Sequence, residues 1–447
     1  MLNKKIGLVS LGCPKNLVDS ELMLGALKAC GYEIIAESED AQIIIVNTCG
    51  FIESAKQESI NTIIEMAAFK ERSCELLIVT GCLAQRYKQA ILDEIPEVDA
   101  VLGTGSYSEI TSVISKAYEG KHPAIYGELK STDYLEGERV LSTGKGYAYL
   151  KIAEGCDNCC TYCVIPSLRG RFRSRKKEEI LKEAAKLAAS GVKELILVAQ
   201  DTTRYGLDIY NEKRLVELIQ MLSKLEGIEW LRLLYCYPED IDEPLIHEII
   251  HNDKICKYID IPVQHASDSI LQRMGRRGSS SDVNNLLDML RRRIPGLVLR
   301  TSLIVGFPGE TEEDFNMICT FVKKYRFDRL GVFMYSKEDG TPAAKMQYQI
   351  PAKVKKMRYG KLMRLQRQIS SEMNFERLGK TYNVLVEGIA EDGVFYFGRS
   401  YAEAPDIDGL IYFTSNRLLE MGQIVTVEIL NGGQYDITGE VKNESAQ

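Results

Sequence analysis

No run of about eighteen apolar residues, the length that a helix needs to cross a bilayer, occurs in this sequence. The opening residues MLNKKIGLVSLG contain an apolar segment that is too short for a secretory signal peptide. Low-complexity segments are also missing, and 45% of the residues are hydrophobic, which is enough for packed cores. These features predict a cytoplasmic protein that does not have a membrane as a partner.

An excess of positive charge is missing as well. The 447 residues include 56 lysines and arginines against 63 aspartates and glutamates, a formal net charge of −7. General nucleic-acid binders tend to be basic, so this balance argues against that class, although it permits a local basic patch. The length predicts two to four domains.

Twelve cysteines are present, and in a cytoplasmic chain they indicate metal or redox use rather than disulfides. Three of them, Cys156, Cys160 and Cys163, are spaced C-x-x-x-C-x-x-C directly after the apolar run YAYLKIA. Three thiolates this close together can hold three corners of an iron–sulfur cubane. The fourth iron is then left open for chemistry.

Cys159 allows a second interpretation, because the same string also reads as C-x-x-C-C-x-x-C, a ligand set for a structural zinc. Zinc ribbons usually separate their two cysteine pairs by about a dozen residues or more. Adjacent Cys159 and Cys160 would also have difficulty in reaching one tetrahedral ion. The cluster is therefore the favoured interpretation, and zinc is the alternative.

Residues 1–125 alternate apolar strands with helical segments, which predicts an α/β domain with a doubly wound parallel sheet. Cys13 follows the first predicted strand, and Cys49 and Cys82 end the second and the third. Ligands bind beyond the carboxyl ends of the strands in such sheets, so these cysteines form a second candidate iron–sulfur site. The alternative is that they are small core residues.

Six βα units follow in residues 142–372, after a polar linker at 121–145, and predict a partial or full (β/α) barrel. The three-cysteine motif falls at the C-terminal ends of the strands, where such folds have their active sites. The turn at 306–311 falls there too, and fits either ligand binding or plain turn chemistry. The basic run at 168–177 is either a solvated helix start or a contact with an anionic ligand or a neighbouring domain.

Residues 375–443 are β-patterned, with glycine and aspartate at the expected turns, and predict a small antiparallel β barrel. From Arg377 onward, five lysines and arginines face eleven aspartates and glutamates. Such a barrel would repel RNA and attract a basic protein.

Over essentially its full length the chain resembles the methylthiotransferase family of radical S-adenosylmethionine (SAM) enzymes. The resemblance rests on four motifs: SLGCPKNLVDSE (10–21), VNTCGFI (46–52), VTGCLAQRY (79–87) and GCDNCCTYCVIPSLRGRFRSR (155–175). It implies an N-terminal methylthiotransferase domain, a central radical SAM domain and a C-terminal β barrel called a TRAM domain.

The resemblance also implies SAM and two 4Fe-4S clusters as cofactors. Their metal ligands would be two trios of cysteines: Cys156, Cys160 and Cys163 for the radical SAM cluster, and Cys13, Cys49 and Cys82 for the auxiliary cluster. In this family the first cluster cleaves SAM to a radical, and the second carries the sulfur that becomes a methylthio group. An electron donor such as flavodoxin or ferredoxin is an implied partner, and no catalytic side chain is predicted beyond the ligands.

The family divides by substrate into enzymes that modify an adenosine in transfer RNA and enzymes that modify the β-carbon of an aspartate in a small-subunit ribosomal protein. Four stretches are similar to the second branch: CPKNLVDSE, IPSLRG, DIPVQHAS with His265, and YSKEDGTPA with Glu338 and Asp339. The prediction is a ribosomal-protein methylthiotransferase that consumes two SAM and does not have transfer RNA as a partner. A tRNA adenosine methylthiotransferase is the first alternative, and a non-catalytic cluster or zinc scaffold is the second.

Overall fold

A computed structural model describes residues 4–144 and 146–442 of the chain. Residue 145, in the predicted linker, and residue 443, the predicted end of the third domain, lie outside these ranges. Within them, no helix combines the length and the apolar character that a membrane span requires.

The N-terminal part is a six-stranded parallel sheet that has helices and hydrophobic clusters on both of its faces. Its strands are β1 (Lys5–Ser10), β2 (Glu33–Ile34), β3 (Ile43–Thr48), β4 (Leu76–Gly81), β5 (Ala100–Leu102) and β6 (Ala124–Ile125), in the order β2-β1-β3-β4-β5-β6. Its helices are α1 (Pro14–Ala29), α2 (Glu53–Ala67), α3 (Cys82–Tyr87), α4 (Ala90–Glu94) and α5 (Ile110–Tyr118). Every residue of β3 and β4 is buried, as expected for parallel strands that are covered on both faces.

The central part is a second parallel sheet, in the order β14-β13-β12-β11-β10-β7, which stays open between β7 and β14 within the described residues. Its strands are β7 (Tyr147–Lys151), β10 (Glu194–Val198), β11 (Trp230–Leu233), β12 (Ile255–Gln264), β13 (Val298–Val305) and β14 (Arg329–Met334), and β8 (Ala153–Glu154) pairs separately with β9 (Arg173–Ser174). The helices are α6 (Ile165–Arg169), α7 (Lys177–Ala189), α8 (Leu207–Tyr210), α9 (Leu215–Ser223), α10 (Glu243–His251), α11 (Asp268–Arg273), α12 (Ser280–Arg293), α13 (Glu312–Tyr325) and α14 (Ala352–Phe375). Of the two predicted forms, the structure is therefore the partial barrel.

The C-terminal part is a closed five-stranded barrel, in the order β15-β16-β17-β19-β18. Its strands are β15 (Thr381–Ile389), β16 (Tyr396–Arg399), β17 (Ile411–Thr414), β18 (Ile424–Gly432) and β19 (Ile437–Val441). The pairs are antiparallel except for β17 and β19, which run parallel and close the barrel.

The three parts share buried contacts. Val18 and Leu22 of α1 join a hydrophobic cluster on the inner face of the central sheet, together with Ala402 and Ala404 of the C-terminal barrel. Segment 121–144 crosses between the first two sheets and is anchored by Leu135, which is 1% exposed. Helix α1 of the N-terminal part therefore packs against the central sheet.

Buried ion pairs hold the C-terminal barrel against the central sheet. Glu194 of β10 accepts a hydrogen bond from Arg399 of the barrel at 2.8 Å and one from Arg232 of β11 at 2.6 Å. The hydroxyl of Tyr258 donates to Asp408 at 2.7 Å. At least one acidic side chain of the barrel, that of Asp408, is thus engaged in contacts with the central sheet.

Candidate functional site

The three N-terminal cysteines come together at the carboxyl ends of β1, β3 and β4, as the strand-end rule predicts. A Cβ added at Gly12, whose φ is +92°, would lie 2.8 Å from the Cβ of Cys49 and 3.1 Å from its Sγ, so the first two strand ends touch. The amide of Asn16 donates to two backbone carbonyls at 2.9 Å, and its Oδ1 lies 3.9 Å from the Sγ of Cys82. Asn16 therefore joins all three strand ends around the cysteines.

The thiols of this trio influence one another. Burial, with Cys82 and Cys13 nearby, raises the pKa of Cys49 to about 12. Burial also acts to raise the pKa of Cys13, but Lys15 and Arg169 outweigh it and hold that pKa below its usual value. One buried thiol, that of Cys82, and two partly buried thiols, those of Cys13 and Cys49, with two cations beside them are a suitable donor set for a group that binds thiolates.

Cys156, Cys160 and Cys163 lie in the loop between β8 and α6, at the C-terminal end of β7. Backbone N–H groups point at two of the sulfurs: that of Asn158 lies 3.4 Å from Cys156 Sγ, and that of Ile165 lies 3.4 Å from Cys163 Sγ. Burial raises the pKa of Cys156 to about 11. The loop thus presents sulfurs that are sheltered from solvent and polarised by backbone donors.

Cys159 is exposed, and its thiol donates to the carbonyl of Asp157 at 3.7 Å, whereas Cys160 is buried. No group of three or more histidine, cysteine, aspartate and glutamate side chains in the described ranges is arranged around a single metal ion. In a cubane each thiolate binds a different iron, so the ligands need not converge on one point. The arrangement fits a cluster better than the zinc alternative.

A cavity of about 220 Å³ opens beside Cys160. Tyr237, whose hydroxyl lies 3.6 Å from Cys160 Sγ, forms one wall, and Arg276 stacks on that ring with 4.3 Å between the guanidinium carbon and the ring centroid. Arg204 and Arg277 complete a basic lining. These residues could not be identified from the sequence, because they follow different strands and share no motif.

Helix α6 connects the two cysteine sites. It begins two residues after Cys163, and its Leu168 packs directly on Cys82 of the other trio. Its last residue, Arg169, is 1% exposed, and its Nε lies 3.4 Å from Cys82 Sγ. The interpretation of 168–177 as a solvated helix start is therefore wrong for this residue, and the alternative, contact with the neighbouring domain, is confirmed.

Arg169 belongs to a buried network of charges at the same junction. Its guanidinium donates to Asp19 of α1 at 2.6 Å and to Glu154 of β8 at 3.0 Å, and Lys151 of β7 pairs with both carboxylates. Burial alone would raise the pKa of Glu154, but Arg169 and Lys151 hold it far below its usual value. The network therefore remains ionised and fixes α6 between the two sheets.

The turn at 306–311 is held by Glu310, whose carboxylate accepts hydrogen bonds from the backbone of Gly306 at 2.7 Å and from Arg358 at 2.6 Å. His265 is fully buried beside it, with Nε2 3.4 Å from Glu310. Thr311 and Asp314 form a reciprocal capping box that starts α13. His265 therefore packs beside the turn, and its buried Nε2 has no hydrogen-bond partner among the described residues.

Three family models match the chain. Residues 5–103 match Uncharacterized protein family UPF0004, residues 150–322 match the Radical SAM superfamily, and residues 378–441 match the TRAM domain.

Curated relatives match over the whole chain. Ribosomal protein uS12 methylthiotransferase RimO of Acetivibrio thermocellus is 59% identical over 453 residues, which cover 100% of both chains. The protein of that name from Clostridium tetani is 50% identical, with 100% of both chains covered, and that from Clostridium botulinum strain Hall is 51% identical, with 98% of both covered.

Among solved structures, the radical SAM methyltransferase TsrM from Kitasatospora setae, with cobalamin and a [4Fe-4S] cluster bound, superposes with a TM-score of 0.57 at 15% identity, over 76% of this chain and 77% of that one. The cobalamin-dependent enzyme OxsB, with aqua-cobalamin and SAM bound, gives 0.52 at 14% identity, over 82% and 61%. At these identities the likeness shows the fold alone.

Proposed function

Because the chain belongs to the family of ribosomal protein uS12 methylthiotransferases, we propose that it adds a methylthio group to the β-carbon of an aspartate in that ribosomal protein. The observation that carries the proposal is the pair of cysteine trios joined by α6 across the boundary between two sheets. One trio alone would suffice for radical formation, whereas sulfur insertion needs a second site close by.

We assign the two clusters to the six cysteines of the sequence prediction. Cys13, Cys49 and Cys82 would hold the auxiliary cluster, and Cys156, Cys160 and Cys163 the radical SAM cluster. When bound, the clusters and SAM supply the radical chemistry and the sulfur that an unactivated C–H bond requires. The corresponding domains are residues 1–125, 142–372 and 375–443.

The side chains around these cysteines have positioning roles in the proposal. Arg169 and the buried carboxylates fix the separation of the two sites, and the backbone donors of the cysteine loop polarise the sulfurs. Glu310 fixes the backbone of the 306–311 turn, at the end of the strands where SAM would bind.

Reductive cleavage of SAM requires an external electron, so a donor such as flavodoxin or ferredoxin is part of the proposal. Transfer RNA is not. The reaction would take place in the cytoplasm, where ribosomal proteins are made and assembled.

We assign the capture of the basic ribosomal protein to the C-terminal barrel. The turn between β15 and β16 and the loop before β18 lie at one end of it, because Leu419 N donates to the hydroxyl of Tyr396 at 3.2 Å. Most exposed side chains of this end are apolar or acidic, namely Ile389, Glu391, Asp392, Val394, Leu418, Glu420 and Met421, and Asn416 and Arg417 are exposed there as well. Apolar contacts surrounded by negative charge fit a basic polypeptide and not an RNA backbone.

Mass spectrometry of the ribosomal protein and of transfer RNA from a deletion strain tests the function. The expected result is loss of the methylthio group from the aspartate-containing peptide, with methylthiolated adenosine unchanged, and restoration by the plasmid-borne wild type. Loss of the tRNA modification instead would overturn the proposal in favour of the other branch.

A further inference from the structure

Lys15 stands in the first turn of α1, two residues after Cys13, and is 7% exposed. Its ammonium lies 3.3 Å from the centre of the Tyr235 ring. Among the described residues, no carboxylate oxygen lies within 4.0 Å of that ammonium. The two other cations of this junction, Lys151 and Arg169, are each paired with two carboxylates.

Tyr235 holds its place at a conformational cost. It follows β11 with φ +61°, a backbone region that is unfavourable for a bulky residue. Its backbone N–H donates to the carboxylate of Asp260 at 3.0 Å, which fixes this conformation at the strand end. Strain of this kind persists where the surrounding structure imposes it, and it is common at ligand sites.

The Lys15–Tyr235 pair adjoins both cysteine trios. Lys15 shares its turn with Cys13, and Tyr237, two residues after Tyr235, reaches Cys160 with its hydroxyl. Segment 235–237 thus touches both sites. Tyr235 contacts Lys15 in the turn that carries Cys13, and Tyr237 contacts Cys160. A substrate atom that reacts with groups from both sites has to be placed at this junction.

A buried ammonium without an anionic partner is unfavourable, and the aromatic ring compensates only part of the lost hydration. We propose that Lys15 binds the side-chain carboxylate of the target aspartate. The reacting β-carbon is bonded to that carboxyl carbon, so an ion pair with Lys15 places the C–H bond between the two sites. This inference rests on the proposed function and deepens it, because an adenosine base has no carboxylate and could not use the contact.

A competing role for Lys15 is to offset the negative charge of the thiolates beside it. The two roles separate in a binding experiment on the anaerobic holoenzyme with SAM. The probes are two synthetic peptides that span the target loop of the ribosomal protein, one with the aspartate and one with asparagine in its place. The chain variants are Lys15→Gln, Lys15→Arg and, as a control, Lys28→Gln at the exposed far end of α1.

The wild type is expected to bind the aspartate peptide about 10- to 100-fold more tightly than the asparagine peptide, the range of a charged hydrogen bond. Lys15→Gln should abolish this preference and leave the affinity for the asparagine peptide and the iron content unchanged, as checked by iron analysis and electron paramagnetic resonance (EPR). Lys15→Arg should keep the preference, as should Lys28→Gln.

Two results with Lys15→Gln would assign Lys15 to the clusters and overturn the inference. One is an equal loss of affinity for both peptides, and the other is an altered cluster EPR spectrum while the preference for the aspartate peptide is kept. If the wild type binds and modifies the aspartate peptide but Lys15→Gln keeps the preference, the inference alone fails. If the wild type binds neither peptide and the ribosomal protein is unmodified in cells, the proposed function fails with it.

Discussion

The guanidinium of Arg169 lies 3.4 Å from the sulfur of Cys82, although the two residues belong to the central and the N-terminal parts of the chain and are 87 positions apart. A hydrogen bond and a positive charge at a ligand sulfur stabilise the more reduced, more negative state of a cluster. The same guanidinium neutralises Asp19 and Glu154, so one side chain contributes both to the junction and to the electronic state of the proposed auxiliary site.

Arg169→Met should lower the reduction potential of the auxiliary cluster and weaken the junction. We expect a negative shift of about 59 mV or more, which is tenfold in a one-electron equilibrium. The measurement is potentiometry followed by EPR in a chain whose other three ligand cysteines are replaced by alanine. The control is Arg171→Met, which removes an arginine whose side chain is 88% exposed, and an equal shift in the control would contradict the assignment.

Cys82→Ala should separate the two half-reactions. SAM cleavage is expected to continue, while methylthiolated product disappears, because the radical site keeps its three cysteines. Iron should fall from about eight to about four atoms per chain, since each cubane holds four. Cys159→Ala is the matched control and should retain the iron, SAM cleavage and product. Product at the wild-type rate from Cys82→Ala would refute an essential auxiliary site.

Acid should release the C-terminal barrel from the central sheet. Burial alone would raise the pKa of Glu403, but Arg377 and Arg329 hold it at about 2. A carboxyl whose folded pKa is depressed stabilises the fold above its unfolded pKa and loses this contribution as pH falls towards the folded value. We expect about 3 kcal/mol to be lost between pH 5 and pH 2, an order-of-magnitude figure from the size of the shift.

Unfolding by urea at a series of pH values, monitored by hydrogen exchange in the barrel, measures this loss. Glu403→Gln should be less stable at neutral pH and should have a flatter pH dependence than the wild type. An unchanged slope would show that other carboxyls govern the acid response.

The acidic pair Glu338–Asp339 should behave asymmetrically. Glu338 is 1% exposed and pairs with Arg86 of α3 at 2.6 Å and with Lys56 of α2 at 3.1 Å, whereas Asp339 is exposed. Glu338→Gln should cost about 3 kcal/mol, because it leaves Arg86 without a carboxylate partner among the described residues and Lys56 with Glu53 alone, and Asp339→Asn should stay within about 0.5 kcal/mol. Chemical denaturation with hydrogen exchange in α2 and α3 tests this, and equal effects would contradict it.

Charge reversal at the end of the barrel that carries the β15–β16 turn and the loop before β18 should weaken binding of the ribosomal protein. The triple variant Glu391→Lys, Asp392→Lys and Glu420→Lys is expected to lower the affinity for the ribosomal protein at least tenfold at low salt, and less at high salt, because exposed charges are screened. Calorimetry of the full-length chain measures the affinity. An unchanged affinity, or a gain for transfer RNA without a loss for the protein, would place the capture surface elsewhere.

The longer parallel strands of both sheets could be predicted from the sequence. Apolar runs such as 43–48 and 298–305 favour buried parallel strands when helical segments alternate with them. The two-residue strands β2 and β6 carry no such run, and their pairing depends on the neighbouring edge of the sheet. Strand β19 is equally hard to predict from the sequence, because Ile437–Val441 has only two buried positions to mark it, yet it closes the barrel.

The cysteines of the candidate site could be predicted from the sequence, because each one lies in a recognisable motif. The strand-end rule brought together Cys13, Cys49 and Cys82, although they are distant in sequence. It could not reveal that Lys15 meets Tyr235 or that Arg169 meets Cys82, because these contacts depend on how one sheet docks on another. Glu338 shows the same limit: its sequence context suggested a feature of one substrate branch, whereas its contacts are with α2 and α3.

Helix α6 has five residues, which span about 7 Å along its axis. Since it leads from one cysteine trio to a side chain that touches the other, the two sites are connected by a short rigid stretch of covalent chain. A hinge motion between the first two sheets could widen the separation of the sites only by breaking the contact of Arg169 with Cys82 and its buried ion pairs with Asp19 and Glu154. Any opening of the two sites during turnover would therefore carry the energetic cost of exposing these charges to solvent.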